Sequence, residues 1–485
     1  MSDDLTAQSA VQLAAKIRSG SLSARTVIDA HIDVLKKNRS LNAVAKPRFD
    51  AARAEADEAD RLIASSAPDA DLPPLLGVPM TIKELIAVEG MPNSGGFPHR
   101  RSVRSRSDAP AVSRLREAGV IIVAITNAAG PVYWIETNNP LYGRVNNPYD
   151  PRRTAGGSSG GDGAAVSIGG AAAALGSDLG GSLRVPAFFN GVFAHLPSVG
   201  LVPNTGHFPM TAGGVRKSLY LGPLARHAED LFPILQTISG PHDSDPHSSP
   251  VELRDPSTVS LKGLPVFLST ASSVTKPRAA VEEARQRAAD ALESAGARVE
   301  ELPLPELRWA MGYALAAIAG EMDFAATVEE VLGTAAPRKR QLRYLPRNVA
   351  LTVASAPVAV LRLAEAAPAR AVRTRAMRRL VSAAQRASDQ ITAAVGEGIL
   401  LHPPFPRLAP RHYTTYGQPW LLANTAAFNF LGLPATQVPM GLNADNLPTG
   451  VQIVAAPGND HVAIRAALEL ERAAGGWTPP PGADS

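Results

Sequence analysis

Apolar residues recur at the spacing of an α-helix along the first 66 residues of the chain. Three segments show this period: 7–18, a segment from Ser21 or Ser23 to Lys37, and 49–63. Apolar positions three and four residues apart form one face of a helix, and either serine can accept free N–H groups at the start of the second segment. The pattern therefore predicts an N-terminal helical part over residues 1–66.

Beyond this part the apolar residues gather in short runs bounded by turn residues, as in buried strands. Such runs occupy 75–82, 120–126, 264–269, 298–302, 398–402, 434–439 and 450–455. Helical segments alternate with them at 164–175, 276–295 and 461–472, and a helix ends near 114–118. Alternating helices and strands predict an α/β fold. Because no repeat or long linker divides the chain, we expect a single domain over 1–485, with a core over 67–240.

Composition excludes several kinds of chemistry. The chain has 485 residues, of which 45% are apolar and 19% charged, as in an ordinary globular protein. It has no cysteine, and its ten histidines show no metal-ligand spacing, so we expect no disulfide, metal or cofactor. The N-terminus lacks the features of a secretory signal, and no apolar run approaches the ~18 residues of a spanning helix, so we expect a cytoplasmic protein.

Positive charge is concentrated in one segment. Residues 338–386 contain twelve Lys or Arg residues and one acid, Glu365, within a chain of net charge +4. A basic helical segment with apolar residues can lie on an anionic membrane surface, but such a segment is more often a solvated helical face. No nucleic-acid-binding signature is present, so we expect no nucleic-acid partner.

Three residues that can perform acyl chemistry stand in distinctive segments, a lysine after an apolar run and two serines among glycines. They are Lys83 within 77–84, Ser158 within 156–161 and Ser182 within 176–186. A serine hydroxyl is a weak nucleophile unless a base takes its proton, and a buried lysine can be that base because burial disfavours its charged form. Ser158 can pass a proton between the other two, since a hydroxyl both donates and accepts. Glycines next to Ser182 let main-chain N–H groups approach a substrate oxyanion.

An alternative interpretation uses the same glycines differently. Residues 156–160 match G-x-S-x-G, the nucleophile elbow of α/β-hydrolases, in which Ser158 would be the nucleophile with an acid and a histidine downstream. This interpretation leaves the second glycine-serine segment without a role. No phosphate-binding G-x-x-x-x-G-K-[ST] motif occurs.

Taken together, segments 77–83, 156–161 and 176–186 resemble the amidase signature family. Six further segments resemble one branch of that family, the second type of fatty-acid amide hydrolase: 90–94, 142–149, 186–191, 432–437, 459–461 and 475–477. The resemblance extends over about residues 70–480 and is weakest over 305–395. It implies a large mixed twisted β-sheet covered by helices on both faces.

The resemblance also implies roles for individual residues. Ser182 would be the nucleophile, Ser158 on a cis peptide bond the proton relay, and Lys83 the base. The main-chain amides of four residues would form the oxyanion hole: Leu179, Gly180, Gly181 and Ser182. Three further residues would support the site: Asp178 and Arg184 by holding the nucleophile's loop, and Val132 by lining the acyl side of the pocket.

We therefore predict a serine-dependent amidase that hydrolyses a small-molecule carboxamide through an acyl-enzyme. Apolar residues within 305–395 predict a helical channel for a fatty-acyl or other hydrophobic substrate, although they also fit an ordinary helix core: Trp309, Met311, Tyr313, Phe324 and Leu361. The alternatives are a short-chain or aryl acylamidase with the same triad, and the glutamine-hydrolysing subunit of a tRNA-dependent amidotransferase. A homodimer is one assembly that we consider.

Overall fold

The computed structural model describes residues 4–67, 70–130, 134–209, 217–269, 275–309, 312, 314 and 370–481. The N-terminal part contains three helices: α1 (Ala10–Arg18), α2 (Ala24–Lys37) and α3 (Phe49–Ser65). Ser9 caps α1 by accepting the N–H of Gln12, and Ser23 caps α2. Of the two serines that the sequence proposes as caps, Ser23 is therefore the one used.

Strands are distributed from residue 44 to residue 455 of the chain. They are β1 (Val44–Pro47), β2 (Pro79–Lys83), β3 (Ile121–Thr126), β4 (Asn138–Asn139), β5 (Gly143–Arg144), β6 (Ala173–Asp178), β7 (Phe193–Leu196), β8 (Tyr220–Ala225), β9 (Pro265–Ser269), β10 (Arg298–Leu302), β11 (Ile399–His402), β12 (Ala435–Leu442) and β13 (Pro448–Ala455). The other described α-helices are α4 (Pro110–Glu117), α5 (Gly160–Ser167), α6 (Arg184–Phe189), α7 (Leu231–Ile238), α8 (Ala279–Ser294), α9 (Arg370–Val395), α10 (Ala423–Leu431) and α11 (Asp460–Ala474).

Within the described residues, eleven strands form one mixed sheet in the order β1-β3-β2-β6-β8-β7-β12-β13-β11-β9-β10. Strand β2 pairs parallel with β3 and β6, and β9 pairs parallel with β11 and β10. The remaining neighbours are antiparallel. Strands β4 and β5 form a separate antiparallel pair. The sheet therefore joins segments of the chain that are hundreds of residues apart.

Helices cover the sheet on both faces, because successive strand residues enter different hydrophobic cores. In β13, Ile453 packs in a core with α8 and α11, whereas its neighbour Val454 packs in a core with α9 and α10. In β11, Leu401 packs in the first of these two cores and Leu400 in the second. Both faces of the sheet are thus covered by apolar side chains of the helices.

The structure corrects one predicted helix and adds a strand to the N-terminal part. The expected helix over 164–175 is wrong, because α5 ends at Ser167 and β6 begins at Ala173. Gly169, with φ +77°, turns the chain between them, a conformation that glycine adopts without steric cost. Strand β1, within the part predicted as helical, pairs antiparallel with β3 and borders the sheet.

Most of the predicted channel region lies outside the described residues. Met311, Tyr313, Phe324 and Leu361 are in that part, whereas Trp309 is described and exposed. Of the basic segment 338–386, only 370–386 is described, as the start of α9. No helix in the described ranges is both long enough and apolar enough to cross a membrane.

Candidate active site

Lys83 lies at the carboxyl end of β2, between the parallel strands β3 and β6. It is in register with Thr126, the last residue of β3, and β6 ends nearby at Asp178. The carboxyl ends of parallel strands meet at one edge of a sheet, where α/β proteins bind their ligands. The topology therefore brings a lysine and the loop after β6 to the same edge.

The Lys83 amine is fully buried and contacts two serines. Its Nζ lies 2.7 Å from Ser158 Oγ, 2.9 Å from Ser177 Oγ and 3.1 Å from the Ser177 carbonyl oxygen. Burial lowers the pKa of Lys83, while the charges of Asp162 and Asp178 act in the opposite direction. An amine with a lowered pKa can accept a proton near neutral pH.

Asp162, in the first turn of α5, is a second buried titratable group near Lys83. Its Oδ1 accepts a hydrogen bond of 2.5 Å from Thr126 Oγ1. Burial raises the pKa of Asp162, and the Thr126 hydrogen bond and the Lys83 charge oppose that increase. The combined charge of Lys83 and Asp162 is therefore close to zero, whether both groups are ionised or both are neutral.

The loop before α5 presents Ser158 to Lys83. The Gly157–Ser158 peptide bond is cis, and Gly156 has φ +83°. A Cβ atom on Gly156 would lie 2.9 Å from Pro186 Cα, closer than real Cβ contacts allow. Glycine at this position therefore permits both the backbone turn and the close approach of the Ser158 loop to α6.

The loop that contains Ser182 is organised around the Asp178 carboxylate. That carboxylate accepts the N–H groups of Gly180 at 3.0 Å, Gly181 at 2.5 Å and Leu183 at 3.0 Å. The Ser182 carbonyl in turn accepts the N–H of Ser159 at 3.2 Å, which joins this loop to the Ser158 loop. Two of the four predicted oxyanion donors, Gly180 and Gly181, therefore already donate to a carboxylate.

Arg184 is fully buried and pairs with Asp178. Its Nε lies 3.1 Å from Asp178 Oδ2, and its other donors reach Gln452 Oε1 at 3.2 Å and Asn429 Oδ1 at 2.5 Å. Although burial alone would raise it, the pKa of Asp178 is lowered to about 2 by Arg184 and the N–H donors. Asp178 is therefore ionised at neutral pH, and its charge is compensated within the protein.

The structure adds partners that sequence reasoning missed, and one predicted residue lies outside its description. Val132 belongs to 131–133, which are not among the described residues. Ser177 and His207 extend the contacts of Lys83, while Asn429 and Gln452 hold Arg184 from α10 and β13. Asn429 is 251 positions from Asp178, so no local motif could have revealed that these two residues are in contact.

A histidine–aspartate–serine cluster also occurs, but it lies elsewhere. His195 Nε2 is 3.0 Å from Asp460 Oδ1, and the Ser198 hydroxyl donates to Asp460 Oδ2 at 2.5 Å. The aspartate is thus between the histidine and the serine, so the imidazole does not contact the serine as a base would. Among the described residues, no group of three or more His, Asp or Glu could hold a metal ion.

Comparisons with known proteins establish the family. The Amidase family model matches residues 26–463. Fatty-acid amide hydrolase 2-A of Danio rerio is 36% identical over 490 residues, covering 97% of this chain and 90% of the relative. Fatty-acid amide hydrolase 2 of Homo sapiens is 35% identical over 495 residues, covering 99% of this chain and 91% of the relative.

The fold agrees with this assignment. The structure of a bacterial aryl acylamidase of the amidase signature family superposes with a TM-score of 0.81 at 24% identity, covering 96% of each chain. The predicted mixed sheet with helices on both faces is therefore confirmed, as is the resemblance to the amidase signature family. The chain belongs to that family. It is a hydrolytic, amide-cleaving enzyme similar to the second type of fatty-acid amide hydrolase.

Proposed function

We propose that the chain hydrolyses hydrophobic carboxamides through an acyl-enzyme, with Ser182 as nucleophile, Ser158 as proton relay and Lys83 as base. The observation that supports this proposal is the buried contact between the Lys83 amine and the Ser158 hydroxyl, 2.7 Å long, beside the Ser182 loop. A lysine that accepts protons near neutral pH makes a histidine unnecessary for this chemistry.

In the proposed acylation, Ser182 Oγ forms a bond to the substrate carbonyl carbon. Its proton moves to Ser158 Oγ, while the Ser158 proton moves to neutral Lys83. The C–N bond then breaks, and the leaving amine takes a proton from Ser158, which is replenished from Lys83. Water repeats the addition at the acyl-enzyme, releasing the carboxylate and free Ser182.

The developing oxyanion would be bound by main-chain N–H groups of the loop from Leu179 to Ser182. Gly180 and Gly181 already donate to Asp178, so an oxyanion that uses these two amides must share them with the carboxylate. The Arg184 charge compensates that carboxylate, which limits its repulsion of the oxyanion. Removing one such donor typically costs about 10²–10³ in turnover.

The hydrophobic acyl group is proposed from the similarity to two fatty-acid amide hydrolases over nearly the whole chain. The apolar residues of 305–395 are consistent with a channel for it, and exposed Trp309 lies at the start of this region. Cytoplasmic localisation, membrane contact by 338–386 and homodimer formation stay predictions.

An acyl-chain series tests the proposal. Amides from acetyl to oleoyl, an aryl amide and free glutamine are offered to the wild type and to Ser182→Ala, and the released amine or ammonia is measured. We expect kcat/KM to rise with acyl length and activity to vanish in Ser182→Ala. A preference for short or aryl amides would refute the hydrophobic substrate, and glutamine as the sole substrate would favour the amidotransferase subunit.

Ser198→Ala is the matched control, because this buried serine contacts an aspartate and not Lys83. We expect it to lower stability by about 1–3 kcal/mol, through the lost hydrogen bond, with kcat/KM retained. If Ser182→Ala remained active while Ser198→Ala was inactive, the assignment of Ser182 as nucleophile would be wrong.

A further inference from the structure

A histidine that the proposed mechanism does not use lies next to the Lys83 site. His207 belongs to the loop between β7 and β8 and is 3% exposed. Its Nε2 lies 2.9 Å from Ser177 Oγ, and its Nδ1 lies 3.2 Å from the carbonyl oxygen of Pro209. His207, Ser177, Lys83 and Ser158 thus form one continuous chain of hydrogen bonds.

The protein partners determine the tautomer of His207. A carbonyl oxygen can only accept, so the contact with Pro209 requires a hydrogen on Nδ1. Burial lowers the pKa of His207 to about 3, and the Lys83 charge acts in the same direction, so the ring is neutral at neutral pH. A neutral imidazole with its hydrogen on Nδ1 accepts at Nε2, and the Ser177 hydroxyl therefore donates to His207.

The direction of this bond determines the remaining bonds around Lys83. Because the Ser177 hydroxyl hydrogen is directed to His207, Ser177 Oγ is left as an acceptor for one N–H of the lysine amine. The Ser177 carbonyl, which can only accept, takes another. A neutral amine has two N–H groups and one lone pair, so the lone pair remains for the third neighbour, Ser158.

We propose that His207 is a positioning residue that orients the Ser177 hydroxyl away from Lys83, so that the neutral amine directs its lone pair to the Ser158 hydroxyl. This inference rests on the proposed function of Lys83 as base. It explains how the relay acquires one direction, from Ser182 through Ser158 to Lys83. Without an acceptor at position 207, the Ser177 hydroxyl could donate to Lys83 and compete with Ser158 for the same lone pair.

The test replaces His207 with side chains that do or do not accept a hydrogen bond. His207→Gln offers an amide oxygen as acceptor, whereas His207→Leu offers no acceptor and the thioether of His207→Met only a weak one. kcat and KM for a long-chain acyl amide are measured from pH 5 to pH 10. We expect kcat of the apolar variants to fall about tenfold with KM unchanged, and His207→Gln to recover most of the loss.

The pH profile separates positioning from simple structural support. Competition from the Ser177 hydroxyl stabilises the neutral amine, so the acid limb of kcat should move to lower pH in the apolar variants even as the plateau falls. Among the described residues, the charged or titratable groups that face Lys83 are Asp162, Asp178 and His207, and the first two are unchanged in every variant. A variant that only loosened the loop would lower the plateau without this shift.

Two controls make the result decisive. In a Ser177→Ala background no competing hydroxyl exists, so adding His207→Met should change kcat by less than twofold. His402→Met alters another buried histidine bonded to a serine, Ser269, at 2.7 Å, and should leave the acid limb where it is. Thermal unfolding shows which of the two apolar variants at position 207 folds, and the kinetic comparison uses that variant.

Each of three outcomes would overturn the inference: a wild-type plateau and acid limb in the folded apolar variant, a lowered plateau without the shift of the acid limb, or an undiminished effect of His207→Met in the Ser177→Ala background. Failure of the proposed function would look different. In that case Ser182→Ala would retain turnover, or Lys83→Met would equal the wild type, whatever the state of His207.

Discussion

The buried pair of Arg184 and Asp178 gives a prediction whose magnitude follows from its contacts. Arg184→Met removes four hydrogen bonds, two of them to Asp178 and one each to Gln452 and Asn429. Asp178 remains ionised by its N–H donors but loses its buried counter-charge. Breaking a buried ion pair by removing one partner costs about 3–5 kcal/mol, so we expect a loss of that size in the free energy of unfolding.

The prediction is checked by urea unfolding of single and double variants, followed by intrinsic fluorescence. Asp178→Asn should cost a similar amount because it leaves the guanidinium unpaired, whereas the double variant removes both charges of the pair. The double variant should therefore be at least about 2 kcal/mol more stable than the sum of the single effects predicts. Because Asp178 organises the loop of Ser182, both single variants should also lose most of their turnover.

A surface arginine provides the control. Arg25 pairs with Asp29 at 2.7 Å and with Asp57 at 2.8 Å, but its side chain is 39% exposed. Solvent screens such pairs, so Arg25→Met should cost less than about 1 kcal/mol and leave activity intact. The reasoning about Arg184 is refuted if Arg184→Met is no more destabilising than Arg25→Met, or if the costs of the two single variants at 178 and 184 simply add.

Two further predictions concern the base and the nucleophile's loop. Lys83→Met should lower kcat/KM by about 10²–10⁴, the usual contribution of general base catalysis. In the wild type the rate should fall as the pH drops through the lowered pKa of Lys83, since only the neutral amine accepts a proton. Unchanged activity of the variant near neutral pH would exclude the proton relay. Gly181→Ala should abolish activity, because Gly181 has φ +122° and a Cβ atom there would lie 2.2 Å from Thr425 Oγ1. Gly90 has φ +72° but no atom within 4 Å of such a Cβ, so Gly90→Ala should cost only the backbone strain. Equal kinetics for these two glycine variants would argue against the close packing at Gly181.

Segments with local periodicity could be predicted from the sequence, and those defined by distant contacts could not. Helices α1, α2 and α3 follow from apolar spacing, and β3 from a short apolar run. The first three residues of β6 lie within the helix predicted over 164–175, because small residues fit either structure until the parallel pairing with β2 is known. Strands β7 and β8 were not predicted, since their pairing joins residues that no short pattern relates.

The same distinction applies to the site. Ser158 and Ser182 are conspicuous because glycines surround them, and Lys83 because it follows an apolar run, so motifs could propose all three. Ser177 lies within the segment 176–186, but nothing in the sequence distinguishes it as a contact of Lys83. His207 has no motif at all, and its relevance depends on a loop that folds back onto the end of β6.

The charges around the site explain why its two acids differ in ionisation. Both Asp162 and Asp178 are fully buried, which by itself raises the pKa of each. Asp178 has an arginine and several N–H donors, so its pKa falls to about 2, whereas Asp162 has the Thr126 hydroxyl and a lysine whose own pKa is lowered. The fixed charge pair can therefore hold the nucleophile's loop at any pH near neutrality, while the lysine retains the capacity to exchange a proton. In the proposed mechanism Asp178 and Arg184 maintain the geometry of the loop, and Lys83 performs the proton transfer.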